Sequence, residues 1–184
     1  MRIQELLKDL PIVYRLIGDE NREVQSLCTD SRKIEPGCLF FCIPGMHFDA
    51  HEYAPEAVSR GAAALVVERE LAVDCPQILV ENVRLAMSYL ASAFYGNPSK
   101  SLKIIGITGT KGKTTTSFLL KAILEKGGHR VGLIGTVCTL IGETEYAAGK
   151  TTPDPVEFQQ TLKRMEEAGL DFVVMEVSAH ALAM

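Results

Sequence analysis

The chain has 184 residues, with 19 Lys and Arg against 23 Asp and Glu, a net charge of −4, and 47% of its residues are hydrophobic. That length and apolar content allow one large or two small cored domains. The acidic balance leaves no footprint for nucleic acid, no apolar run can span a bilayer and no export signal opens the chain, so a soluble protein with small-molecule partners is expected.

In chain order, Ile3, Leu6, Leu7 and Leu10 recur at helical spacing, and Pro11 stops that helix. Val24 to Thr29 and Cys38 to Ile43 read as strands, separated by a turn on Ser31-Arg32-Lys33 and Pro36-Gly37. Cys38 and Cys42 share one face of their strand and read as core. The five cysteines are odd in number and contain no C-x-x-C pair, which argues against disulfides or zinc and for a reducing cytoplasm. A loop from Pro44 to His51 leads into a helix over 53–60, then short strands at 63–67 and 77–80. Asn82 has the character of an N-cap for a helix striped by Val83, Met87, Leu90 and Phe94. Turn chemistry accounts for most of the polar residues on the loops of this half, Thr29 to Arg32 and Gly45-Met46-His47. Gly96-Asn97-Pro98-Ser99 is the clearest boundary, giving domains over 1–98 and 99–184.

Beyond it the pattern is strand (103–108), helix (114–126), strand (131–136), a polar loop, helix (156–168) and strand (171–177). This predicts the start of a doubly wound parallel sheet with about three strands. Between the first strand and helix lies Gly106-Ile107-Thr108-Gly109-Thr110-Lys111-Gly112-Lys113-Thr114-Thr115. A strand, a glycine-rich turn and Gly-Lys-Thr at a helix start make a phosphate cradle. Backbone N–H groups approach the phosphates, Lys113 reaches the β/γ oxygens, and the Thr114 hydroxyl can hold Mg²⁺. The glycine spacing differs from G-x-x-x-x-G-K-[ST], and the competing reading is a glycine-rich turn with a chance Gly-Lys-Thr. The flanking strand and helix favour an ATP site with Mg²⁺ over Gly109, Thr110, Lys111, Gly112, Lys113, Thr114 and Thr115.

Glu176 ends the last strand, where P-loop proteins hold or orient Mg²⁺. Position alone fits a surface glutamate equally, and the P-loop upstream tips the reading towards metal. Ser178 and His180 follow at the same sheet edge, where ligands of open α/β sheets gather. Thr151-Thr152-Pro153-Asp154 precedes a helix and serves either as an anion site or as a plain capped start, with Asp154, Pro155 and Glu157 at capping positions.

Taken together these segments resemble the Mur ligases, ATP-dependent enzymes that add amino acids to the peptidoglycan precursor. Thr108 to Thr115, T-G-T-K-G-K-T-T, is similar to that family's P-loop variant. Thr29-Asp30-Ser31-Arg32, Pro36-Gly37-x-Leu39-Phe40 and Gly45-x-x-Phe48-Asp49-x-His51 resemble its uridine-nucleotide-binding N-terminal domain. Thr151-Thr152-Pro153 and Met175-Glu176-Val177-Ser178-x-His180-Ala181-Leu182 resemble the branch that adds the third residue.

The resemblance implies a small α/β uridine-nucleotide domain followed by the start of a P-loop ATPase domain. It implies ATP phosphates on Lys113 and the loop amides, and Mg²⁺ on Thr114 and Glu176. Ser31, Gly45, Met46 and His47 would meet the uridine diphosphate, and Thr151, Thr152 and Ser178 the muramoyl-dipeptide end. The implied reaction is acyl-phosphate formation on D-glutamate of UDP-N-acetylmuramoyl-L-alanyl-D-glutamate. Attack by the amine of diaminopimelate or lysine follows, in a cytoplasmic enzyme that is monomeric at full length. Ala179 stands where the family usually has serine. The family's D-H-x-D-x-H segment, carbamylated lysine and C-terminal domain are absent, so the chain is expected to be truncated and inactive alone. A folylpolyglutamate synthetase shares a similar P-loop but lacks the Asp-Ser-Arg domain. A stand-alone module binding UDP-sugar and ATP, and a small-molecule kinase, are further alternatives.

Overall fold

A computed structural model describes residues 1–45, 48–149 and 151–179. They fall into two compact units, Met1–Phe94 and Tyr95–Met184. Among the described residues no helix is long and apolar enough to cross a membrane.

The first unit opens with α1 (Ile3–Leu7), which buries Ile3, Leu6 and Leu7, and its first turn is closed by Glu5 accepting from the Arg2 N–H at 2.9 Å. β1 (Tyr14–Ile17), β2 (Ser26–Cys28), β3 (Cys38–Phe41), α2 (Ala54–Ser59), β4 (Ala64–Val67), β5 (Gln77–Val80) and α3 (Val83–Phe94) follow. The sheet runs β1-β5-β4-β3-β2, parallel from β2 to β5, with β1 antiparallel on the edge. All four residues of β3 and of β4 are buried, as continuous apolar strands covered on both faces should be. Sequence reading passed over β1 because its residues are exposed or half-buried and do not alternate. The Asn82 side chain accepts from the Leu85 N–H at 2.9 Å and caps α3. All five cysteines are free and buried: Cys28, Cys38, Cys42 and Cys75 here, and Cys138 in the second unit.

The second unit contains β6 (Lys103–Ile107), α4 (Lys113–Lys126), β7 (Val131–Ile134), β8 (Cys138–Ile141), β9 (Thr144–Ala147), α5 (Pro155–Glu167) and β10 (Phe172–Glu176). Its sheet order is β6-β10-β7-β8-β9. The stretch expected as a polar loop after β7 is instead a hairpin, so the sheet is mixed and has five strands rather than about three. β9 is exposed along its whole length, and its Thr, Glu and Tyr residues gave no buried alternation to read. α5 packs Leu162 and Met165 with Ile134, Val173 and Met175, while Leu120 and Leu124 of α4 pack with Val131, Leu133 and Val174. Neighbouring residues of β10 thus face opposite helices, the layering of a doubly wound sheet. Glu176 lies opposite Ile107 and Met175 opposite Ile134, so β6, β7 and β10 end level, and the segments after them leave from one edge.

Candidate nucleotide and acceptor site

The turn after β6 is the exposed stretch 108–112. Gly112, at φ 79°, takes the left-handed conformation that starts α4, and Thr116 N–H closes the first helical turn on Gly112 O at 2.9 Å. Lys113 follows at the first helical position and donates from Nζ to Gly109 O at 2.9 Å. Its charge therefore lies across the mouth of the glycine turn, beside a helix N-terminus that favours anions. Gly109 to Gly112 form the turn, and Thr114 and Thr115 occupy the first turn of α4.

Glu176 is the buried group beneath this turn, at 1% exposure. Its Oε2 accepts from Thr114 Oγ1 at 3.1 Å and Thr136 Oγ1 at 3.2 Å, and its Oε1 accepts from Thr136 N–H at 3.0 Å. Among the described residues, the groups hydrogen-bonded to this carboxylate are thus all neutral. A buried carboxylate held by neutral donors is costly, and a divalent cation beside it would offset that cost. A hydroxyl and a carboxylate suit Mg²⁺, which takes oxygen ligands and draws the remainder from substrate phosphates and water. No group of three or more His, Cys, Asp or Glu is poised for an all-protein cage among the described residues.

Two residues here were missed by sequence reading. A Cβ built on Gly135 would lie 2.6 Å from Glu176 Oε1, so only glycine lets this backbone come so close. Thr136 follows it, and its hydroxyl also lies 3.1 Å from Thr151 Oγ1. The one available signal was Gly-Thr directly after a buried strand.

Thr151, Thr152 and Ser178 converge at the same edge. Thr152 Oγ1 accepts from Ser178 N–H at 3.0 Å, donates to Glu176 O at 3.2 Å and lies 3.4 Å from Ser178 Oγ. Asp154 caps α5, accepting from Val156 and Glu157 N–H at 3.1 and 3.0 Å. The capped helix start and a cluster of hydroxyls are therefore both present.

In the first unit Ser31 and Gly45 follow β2 and β3, which are parallel neighbours, so both leave the same sheet edge. The Asp30 carboxylate accepts from Arg32 N–H, Nε and Nη2 at 3.0, 2.9 and 2.7 Å, and the Arg32 side chain beside it lowers its pKa to about 2. Arg60 holds the turn by donating to Ser31 O at 2.8 Å and Arg32 O at 3.2 Å. Gly45 N–H donates to Phe48 O at 2.9 Å. Buried His51 accepts at Nε2 from Glu68 N–H at 2.9 Å, so Nδ1 carries the proton and donates to Asp49 Oδ1 at 2.5 Å. Met46, His47 and His180 lie outside the described residues.

The family model "Mur ligase family, catalytic domain" matches residues 23–95, and "Mur ligase middle domain" matches 107–184. The chain is 47% identical over 182 residues to the UDP-N-acetylmuramoyl-L-alanyl-D-glutamate–2,6-diaminopimelate ligase of Geobacillus thermodenitrificans, covering 99% of this chain and 37% of that protein. A solved structure of a ligase of that name superposes with a TM-score of 0.80 at 27% identity, over 100% of this chain and 37% of the other. MurF ligase from Thermotoga maritima in complex with ADP gives a TM-score of 0.58 at 25% identity, over 85% of this chain and 32% of that one. The chain therefore spans about a third of the length of these relatives. Two models of one family cover most of the sequence, and the whole fold superposes on a solved ligase: the chain belongs to the Mur ligase family.

Proposed function

We propose that the chain supplies the nucleotide and uridine-substrate sites of an ATP-dependent ligase. That enzyme would add the third residue to UDP-N-acetylmuramoyl-L-alanyl-D-glutamate, with 2,6-diaminopimelate, the amino acid for which the relatives are named, as the one added. The observation that carries this reading is the 3.1 Å bond between Thr114 of the P-loop and Glu176, two residues 62 positions apart. It sets the magnesium-type pair of a phosphoryl-transfer site beside the hydroxyls of Thr151, Thr152 and Ser178.

In this reading residues 1–98 bind the uridine diphosphate through Ser31, Gly45, Met46 and His47. Residues 99–184 bind ATP through Gly109 to Thr115, and Thr114 and Glu176 would hold Mg²⁺, which neutralises charge on the phosphates when bound. Lys113 draws the β and γ oxygens into the glycine turn. Thr151, Thr152 and Ser178 fix the D-glutamate end, with His180 at the same strand end. A carboxylate oxygen of that residue bonds to the γ-phosphorus as ADP departs. The incoming amine then attacks the carbonyl carbon, loses a proton and expels phosphate. Work of this kind is positioning and charge neutralisation. Buried free thiols and a soluble nucleotide substrate fit a cytoplasmic setting.

Lys113→Ala tests the nucleotide half. Removing a charge-assisted contact should weaken Mg-ATP binding by about 10–100-fold, read by titration calorimetry, with an unchanged circular dichroism spectrum. Equal affinity in the variant would overturn the assignment.

A further inference from the structure

We infer that Thr136 is a positioning residue that sets the Glu176 carboxylate for a divalent cation, an inference that rests on the nucleotide reading above. Thr136 meets both oxygens of that carboxylate. Its N–H fixes Oε1 at 3.0 Å, and its hydroxyl reaches Oε2 at 3.2 Å, the oxygen that Thr114 also meets at 3.1 Å. The carboxylate plane is thereby fixed from the β7 side, while Thr114 approaches from the P-loop side.

The arrangement depends on backbone as well as side chain. Gly135 has no Cβ where one would stand 2.6 Å from Oε1, so the segment after β7 can lie against the acid. The Thr136 hydroxyl has one proton. Given to Glu176, it leaves the Thr136 oxygen to accept from Thr151 Oγ1 at 3.1 Å. The same hydroxyl therefore anchors the 151–152 segment to the acid of the cation site. Thr136 itself is exposed, so removing its hydroxyl opens no core cavity.

Groups that orient a metal ligand typically change metal affinity by about 10–100-fold when removed. The test uses the 184-residue chain with Mn²⁺ and ADP. Binding of Mn-ADP is followed by Mn²⁺ electron paramagnetic resonance, and binding of metal-free ADP by calorimetry. Thr136→Val should weaken Mn-ADP by about 10–100-fold, leave metal-free ADP unchanged and alter the Mn²⁺ line shape. Thr136→Ser should restore both the affinity and the spectrum, and Thr136→Ala serves as a second deletion of the hydroxyl should the valine variant fold poorly. Equal Mn-ADP affinity in wild type and in the hydroxyl-less variants would overturn the role of Thr136 alone. A matching loss for metal-free ADP would show a merely structural role and overturn it too. A wild-type chain that binds no Mn-ADP would overturn the nucleotide reading, and this inference with it.

Discussion

His51 shows how a single side chain can fix a loop. Its ring is buried, yet both nitrogens are used: Nε2 accepts from the Glu68 N–H after β4, and Nδ1 donates to Asp49, which also pairs with Arg69 at 2.7 Å. Burial raises the Asp49 pKa, but the hydrogen bonds from the backbone and ring of His51 and from Arg69 prevail and bring it down to about 2. Glu68 in turn accepts from the Val83 N–H at the start of α3, at 2.9 Å. The imidazole thus ties the segment after β3 to the end of β4, and the Glu68 carboxylate ties that end to α3. His51→Ala should lower the stability of the first unit by about 1–3 kcal/mol, because it deletes a buried ring and the two hydrogen bonds that ring makes. Urea unfolding checks this, and an unchanged midpoint would show that the network is dispensable.

At the scale of elements, β6 makes a testable pattern. Among the described residues it pairs only with β10. Lys103 N–H donates to Asp171 O at 3.0 Å, so the N–H groups of Ile105 and Ile107 point the same way, while those of Ile104 and Gly106 point outward. Hydrogen exchange followed by NMR should find Ile105 and Ile107 slow and Ile104 and Gly106 fast. Even protection along the strand would mean that a second partner covers that edge. The strand itself was legible because Leu102 to Ile107 is an apolar run ending in the glycine turn. The caps Asn82 and Asp154 were legible for a local reason too: each bonds within three residues of itself. What escaped notice was non-local or exposed. The hairpin β8–β9 buries Cys138 and Ile141 but shows four exposed residues on β9. The roles of Gly135 and Thr136 depend on Glu176, about forty residues away, and no local pattern announces a contact of that span. Glu176 itself was readable only as the acid ending a buried strand, and its three donors come from elsewhere in the chain.

For the whole molecule, the two units have separate cores, and the buried cysteines are divided between them four to one. Burial pushes the Cys42 thiol up to about 12 and raises those of Cys75 and Cys138, and Cys38 is raised by its bond to the Cys28 sulfur and by burial. The same bond from Cys38 draws Cys28 down to about 7. Since the thiolate is the form that reacts, an alkylating reagent meets sealed and mostly protonated sulfur in the native chain. The cysteines are therefore internal tags that time the opening of each half. In a rising urea series with brief iodoacetamide pulses and peptide mass spectrometry, Cys138 should become modified at its own midpoint, apart from Cys42 and Cys75. Joint modification of all three at a single midpoint would instead mean that the halves melt as one.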